Sequence, residues 1–312
     1  MSFNPMAAFM VADLLQYLPK HPTVVELGNQ TFKAGDKALK KIIEQFGQDP
    51  SVNTAVLQSL IGKEKVTVAA STEAFYRALG FSLYVAIDVN NKYGSLMMDL
   101  NRDLRSEYNF SQTFDLVTNN GTGEHCFNQH AVFKNIHDLA KVGGVMFHAM
   151  PLNWVNHGFY NFNPRLYADL ATANGYKILY FGLNDRQGLR ISACPKDGDD
   201  HGKRRDSKWS WKDPLRKFLR AAFRNARPSE AKPSKNTEKF LAWEIKRLLR
   251  LKDLHNLPKV FIVAALRKTA DHAFVAPIQG KYKHTIESPE IQKRYAGLPH
   301  GENDQCELPS IR

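Results

Sequence analysis

The chain has 312 residues, 43% hydrophobic and 24% charged, a balance that excludes collagenous, low-complexity and disordered proteins. No apolar run reaches the roughly 18 residues of a membrane-spanning helix, and Met1 to Leu15 lacks the basic stretch that opens a signal peptide. The net charge of +12 is unevenly placed: 18 Lys and Arg face 6 Asp and Glu between Lys203 and Lys259, and the rest of the chain is neutral. Three scattered cysteines, Cys126, Cys194 and Cys306, with no CxxC pair, point to reduced thiols in a cytoplasmic protein rather than a disulfide frame or zinc cluster.

In chain order, Thr23–Leu27 is a β-branched run ended by Gly28 and reads as a buried strand. Helical spacing follows over Lys37–Phe46 and Thr72–Leu79, the second with Ser71 or Thr72 as cap. Phe81–Val89 is a strand that ends in an acid, Asp88, and Phe114–Thr118 is another, followed at once by Asn119-Asn120-Gly121. His125–Lys141 has a helical apolar face, and Gly143-Gly144 turns the chain into strand Val145–Met150. Pro164 fits a first helical turn, so a helix is predicted to run to Asn174, closed by Gly175 before strand Lys177–Phe181. Val260–Leu266 is the longest apolar β-type run. Strands alternating with helices imply an α/β fold: a mostly parallel sheet with helices on both faces. Ligands bind such sheets at the carboxyl ends of the strands, where strand order reverses. The residues after Leu27, Val89 and Thr118 therefore share one polar rim.

Taken in order, the segments "VELGNQ", "LGFSLYVAIDVN", "MMDLNRD", "FDLVTNNGTGEHCFNQ" and "KVGGVMFHAMPLNWVNHGFYNFNP" resemble the class I S-adenosylmethionine-dependent methyltransferases. They are most similar to a bacterial branch with an FDLVxxxGTxEH segment and an HGFYxFxP segment. The resemblance covers about Thr23 to Phe181 and resumes at Val260 to Lys268, the place of a final antiparallel strand. It implies a Rossmann-like seven-stranded sheet, S-adenosylmethionine as cofactor, and methyl transfer to a small-molecule acceptor such as a sugar or other polar metabolite. By the same resemblance, Gly28, with Asn29 and Gln30, would pass beneath the methionine part of the cofactor, and Glu26, an acid inside the strand that can hold a loop or a ligand, joins the cofactor-binding set. Asp88 would hold the ribose hydroxyls, Val89 would flank the adenine, and Asp99 with Leu100 would meet the adenine edge. Asn119, Gly121 and Thr122 would line the site near the sulfonium. The family's first loop usually reads E/D-x-G-x-G-x-G; Gln30 and Phe32 stand here in place of its second and third glycines.

Methyl transfer from a sulfonium is an in-line displacement in which the protein aligns the nucleophile and can remove its proton. Glu124, His125, His157 and Tyr160 are the candidate catalytic residues, with His148 a further candidate base. His157 leads, since an imidazole near its ordinary pKa suits a hydroxyl, thiol or amine acceptor. Glu124 also fits a helix cap and His125 a loop brace. No metal site is expected from these histidines, because no two share a ligand spacing on one element.

In the basic segment, Leu215, Phe218, Leu219, Ala222 and Phe223 form one apolar stripe, and Leu241, Ile245, Leu248 and Leu249 another, each flanked by Lys and Arg. The pattern predicts a helical hairpin inserted before the last strand: a core over 1–200, the basic insertion over 201–258, and the final strand with a tail over 259–312. The hairpin reads as two helices packed on the core with a solvated basic face, as a lid, as a membrane-surface anchor, or as a dock for an anionic surface or phosphate-bearing ligand such as RNA or lipid. Two readings stand beside small-molecule methylation: methylation of RNA or anionic lipid recruited there, and a methyltransferase-like scaffold without activity.

Overall fold

The computed structural model describes residues 2–3, 5–32, 42, 44–46, 70–185, 188–192, 259–279 and 286–296. The predicted helix over Lys37–Phe46 falls largely outside these residues, and the predicted basic hairpin entirely so. Among the described residues, no helix is long and apolar enough to cross a membrane.

Eight strands make the main sheet: β2 (Thr23–Leu27), β5 (Leu83–Asp88), β6 (Leu96–Met97), β7 (Phe114–Asn120), β8 (Ala140–Pro151), β9 (Lys177–Asp185), β10 (Gly188–Ser192) and β11 (Phe261–Arg267). Their spatial order is β10-β9-β11-β8-β7-β2-β5-β6. The pairs from β6 to β8 are parallel, and β11 lies antiparallel between β8 and β9. This is the Rossmann-like class I methyltransferase arrangement, with the last strand in the antiparallel place expected for it; β10 extends the far edge as a hairpin with β9. Strand order reverses at β2, which pairs β5 on one side and β7 on the other. The rim beyond Leu27, Asp88 and Asn120 is therefore the sheet's natural ligand crevice.

Unbroken apolar runs in these strands have a direct cause, since both sheet faces are buried. Val24, Leu116, Val145, Phe147, Val263 and Ala265 face one core, packed by α1 (Pro5–Leu14) and α2 (Glu73–Ala78). Their neighbours Val25, Val117, Met146, Ile262, Ala264 and Leu266 face the other, packed by α3 (Leu104–Tyr108), α4 (Gln129–Leu139) and α5 (Pro164–Asn174). A small second sheet, β1 (Ser2–Phe3), β3 (Thr31–Phe32) and β4 (Ala70–Ser71), has no counterpart in the sequence reading. Its two-residue strands are too short to leave a periodic pattern.

Three element boundaries differ from expectation, each for a local reason. The helix predicted from His125 splits into a 3-10 turn, Gly123–His125, and α4, because the Asn128 side chain accepts from Ala131 N and caps α4 there. Gly143 and Gly144 lie inside β8 rather than in a turn: Gly143 sits at φ 83°, and the register against β7 slips between Phe114 and Leu116. Thr72 occupies the N-cap of α2 without a capping bond, since its hydroxyl is directed to Glu26 instead. α5 runs Pro164–Asn174 with Gly175 in the left-handed C-cap position, as the sequence predicts.

Candidate active site

The register places Leu27 beside both Ile87 and Asn119, so β2, β5 and β7 release the chain at adjacent points. Gly28 leaves the sheet at φ 76° with its N–H donating to Ile87 O at 2.7 Å. A Cβ on Gly28 would fall 2.4 Å from Thr122 Oγ1, so the glycine makes room for the threonine. Thr122 Oγ1 donates to Leu27 O at 2.7 Å and accepts from Gln30 Nε2 at 3.2 Å. Gln30, standing where the family usually has glycine, thus ties the first rim turn to the one after β7. The chain then passes straight into β3 at Thr31 and Phe32.

Glu26 lies just inside this turn and is completely buried. Its Oε2 accepts from Thr72 Oγ1 at 2.6 Å, Tyr84 OH at 2.9 Å and Gln30 N at 3.3 Å, and Oε1 accepts from Tyr76 OH at 3.4 Å. Burial raises its pKa to about 7 against these donors, which act the other way. The residue anchors α2, β5 and the Gln30 backbone to the end of β2.

Asp88, at the end of β5, accepts from Asn29 N on Oδ2 at 2.9 Å and from Asn90 Nδ2 on Oδ1 at 2.7 Å. Asn29 Nδ2 in turn donates to Asn90 Oδ1 at 2.6 Å and Ser95 Oγ at 3.2 Å. Asn90 N also donates to Oδ1, at 3.3 Å, so Oδ1 holds two donors, while Oδ2 holds one and retains capacity for a ligand hydroxyl. Val89 beside it is exposed. Asp99 Oδ1 accepts from Asn101 N and Nδ2 at 2.9 and 2.8 Å, whereas Leu100 is buried in the core. Asn101 is fastened to the α4 cap, accepting from Asn128 N on Oδ1 and from Asn128 Nδ2 on its carbonyl oxygen.

Beyond β7, Gly121 stands at φ 68° with its N–H on Ala149 O, and Asn119 Oδ1 accepts from Gly123 N at 2.9 Å. The buried Asn119 Nδ2, Asn120 Nδ2 and Gln30 Oε1 meet no protein partner among the described residues. Buried amide groups left in this way are rare; Gln30 belongs to the turn after β2, and Asn119 and Asn120 end β7.

The GTGEH and HGFYNF segments meet through the Glu124 backbone. Glu124 O accepts from Phe159 N at 2.8 Å and Tyr160 N at 3.3 Å, and a Cβ on Gly158 would lie 2.7 Å from Glu124 Cγ. His157 is thereby carried to Glu124: its Nε2 is 3.6 Å from Glu124 Oε1, and His125 Nε2 is 3.8 Å from the same oxygen. The two imidazoles stand edge to face with centroids 4.9 Å apart. Glu124 is 0% exposed, neither carboxylate oxygen meets a hydrogen-bond partner from another residue among the described residues, and burial raises its pKa to about 7. It does not cap α4; Asn128 does. Burial lowers the pKa of His157, with His125 adding repulsion, and burial lowers that of His125, so both imidazoles favour the neutral form. Trp154, which the sequence reading passes over, stacks on His157 at 3.5 Å with 8° between the planes, and Lys259 Nζ lies 4.0 Å from the Trp154 ring.

Tyr160 OH donates to Phe127 O at 2.9 Å. Phe127 and Phe159 are exposed beside it (74% and 70%) and touch edge to face at 6.1 Å. His148 is sealed inside β8, where burial lowers its pKa to about 3, so it stays neutral. Burial raises the Cys126 thiol to about 11, which leaves it protonated and unreactive.

No family model and no curated protein matches the chain. Among solved structures it is similar to an O-methyltransferase from a trans-AT PKS multienzyme of Brevibacillus brevis in complex with S-adenosyl-L-homocysteine, at 10% identity over 83% of this chain and 71% of that one, TM-score 0.37. It is also similar to an S-adenosylmethionine-dependent methyltransferase from Clostridium acetobutylicum, at 12% identity over 85% and 92%, TM-score 0.30. A third, from Mesorhizobium loti, has 12% identity over 83% and 98%, TM-score 0.27. The fold assignment rests on the strand order described above.

Proposed function

We propose that the chain is an S-adenosylmethionine-dependent methyltransferase acting on a small-molecule acceptor, a sugar or other polar metabolite. The observation that carries this reading is the meeting of the β2, β5 and β7 ends at one rim, which bears Asp88 and the buried amides of Gln30 and Asn119 that meet no partner among the described residues. These groups suit a ligand with vicinal hydroxyls at one end and a polar amino-acid portion at the other. Asp88 would accept from the ribose hydroxyls, Val89 would cover the adenine, and Asn119 would meet the amino-acid part. The cofactor supplies an activated methyl group on a sulfonium.

The protein's part is alignment and proton removal. Phe127 and Phe159 form an apolar wall at the acceptor end, while Glu124, His125 and His157 offer proton acceptors. Glu124, with its pKa raised to about 7 by burial and no donor from another residue among the described residues, is a better-placed base than His157, whose ring lies flat against Trp154. We also propose a cytoplasmic setting from the cysteine pattern. For the basic stretch 201–258 we propose a helical insertion that meets an anionic or phosphate-bearing ligand. Were that ligand the methyl acceptor, its binding would weaken steeply with added salt.

Binding of S-adenosylhomocysteine to the wild type and to Asp88→Ala tests the cofactor assignment. The account expects the variant to lose at least about tenfold in affinity, the equivalent of about 1.4 kcal/mol, with an unchanged fold by circular dichroism. Equal affinities would remove Asp88 from the site.

A further inference from the structure

We propose that Glu124, His125 and His157 form a binding site for one divalent transition-metal ion of the zinc type. Glu124 is fully enclosed, yet neither of its carboxylate oxygens meets a donor among the described residues. A buried carboxylate in that condition is costly unless a cation or donor completes it. His157 Nε2 is likewise enclosed without a hydrogen-bond partner, 3.6 Å from Glu124 Oε1, and His125 Nε2 is 3.8 Å from that oxygen. All three potential ligand atoms lie within 4.8 Å of one another, and no other three His, Cys, Asp or Glu among the described residues converge in this way.

An ion held at about 2.0–2.2 Å from each donor in tetrahedral geometry sets the donors about 3.4 Å apart. The two Glu–His separations exceed that by only a few tenths of an ångström. Stacking on Trp154 holds the His157 ring, and the bonds from Phe159 N and Tyr160 N hold the Glu124 backbone. The His125 side chain, 45% exposed, leaves a way in. Two imidazoles and one carboxylate match the donor set of zinc-type ions and not the all-oxygen cages of calcium or magnesium. Three protein ligands leave a fourth position open to water; with the ion bound, Glu124 serves as a ligand, and its role as a free base belongs to the metal-free site.

Chains spread over several elements are invisible to a spacing argument, and this is such a case: Glu124 and His125 come from the turn after β7, His157 from the loop after β8.

The test is titration of the chelator-treated full chain with Co²⁺, followed by visible absorption, then displacement with Zn²⁺. The expected result is one Co²⁺ per chain, with ligand-field bands and no thiolate charge-transfer band. Glu124→Gln, His125→Ala and His157→Ala each weaken binding by at least about 100-fold, the upper end of what loss of an outer-shell partner costs. His130→Ala, an exposed helical histidine, leaves it unchanged. Circular dichroism checks each variant, and His125→Ala, altering an exposed side chain, decides should the buried Glu124→Gln fail to fold. No cobalt bands in the wild type, or bands of equal affinity in His125→Ala, overturn the proposal. Binding of S-adenosylhomocysteine is measured in a separate sample without metal, so either assignment can fail while the other stands.

Discussion

Glu26 shows how one buried residue couples the rim to the fold. An acid one residue inside the strand end can hold either a loop or a ligand. The structure surrounds it with Thr72, Tyr76, Tyr84 and the Gln30 N–H. Those hydroxyls come from α2 and β5, far apart in sequence, so nothing in the local string announced them. The pKa of Glu26 rises from 4.5 to about 7 on folding. A raised carboxyl pKa means its contribution to stability is fully present below pH 4.5 and is lost as pH rises through 7. The lost amount is on the order of 3 kcal/mol, from about 1.4 kcal/mol per pKa unit. Glu124 adds a dependence of the same sign, so the two must be separated by substitution. Glu26→Gln is expected to flatten much of the fall in unfolding free energy between pH 4.5 and 7.5, measured by urea denaturation across that range. An unchanged slope would show that Glu26 is not the titrating group.

Caps do different amounts of work on different elements. Asn163 caps α5 with one bond, to Arg165 N, and Pro164 sets the first turn. Asn128 caps α4 through Ala131 N and also makes two hydrogen bonds to Asn101, which holds Asp99. Asn163→Ala should cost about 1 kcal/mol. Asn128→Ala should cost more, since the side chain also donates to Asn101 O, and should in addition weaken S-adenosylhomocysteine binding by loosening the Asp99 turn. Equal stability losses and untouched binding would show that the Asn128–Asn101 link is incidental. Elements of this kind were legible in the sequence where one local rule applied: Pro164 and Gly175 bracket α5, and β2 follows its β-branched run. Legibility ended where side chains act across elements. Asn128 gives no cap signal in the sequence because the helical apolar pattern already runs from His125, and Thr72 has the look of a cap although its hydroxyl is used by Glu26.

At the level of the whole molecule, the sheet was readable because both faces are buried and strands alternate with helices. The rim followed from topology, which places the ends of β2, β5 and β7 together whatever the loops contain. The pairing of Glu124 with His157 did not follow, since it depends on the Glu124 carbonyl accepting from Phe159 and Tyr160. The basic stretch between Lys203 and Lys259 carries the chain's whole excess charge, and salt dependence reports whether that charge acts at the rim. The most direct measurement is calorimetric titration of the wild-type chain with S-adenosylhomocysteine at low and at high salt. The account predicts one site per chain, with micromolar affinity indifferent to salt, as expected for a ligand held by Asp88 and neutral amides. Absence of binding at either salt concentration would contradict it and leave the fold serving as a scaffold.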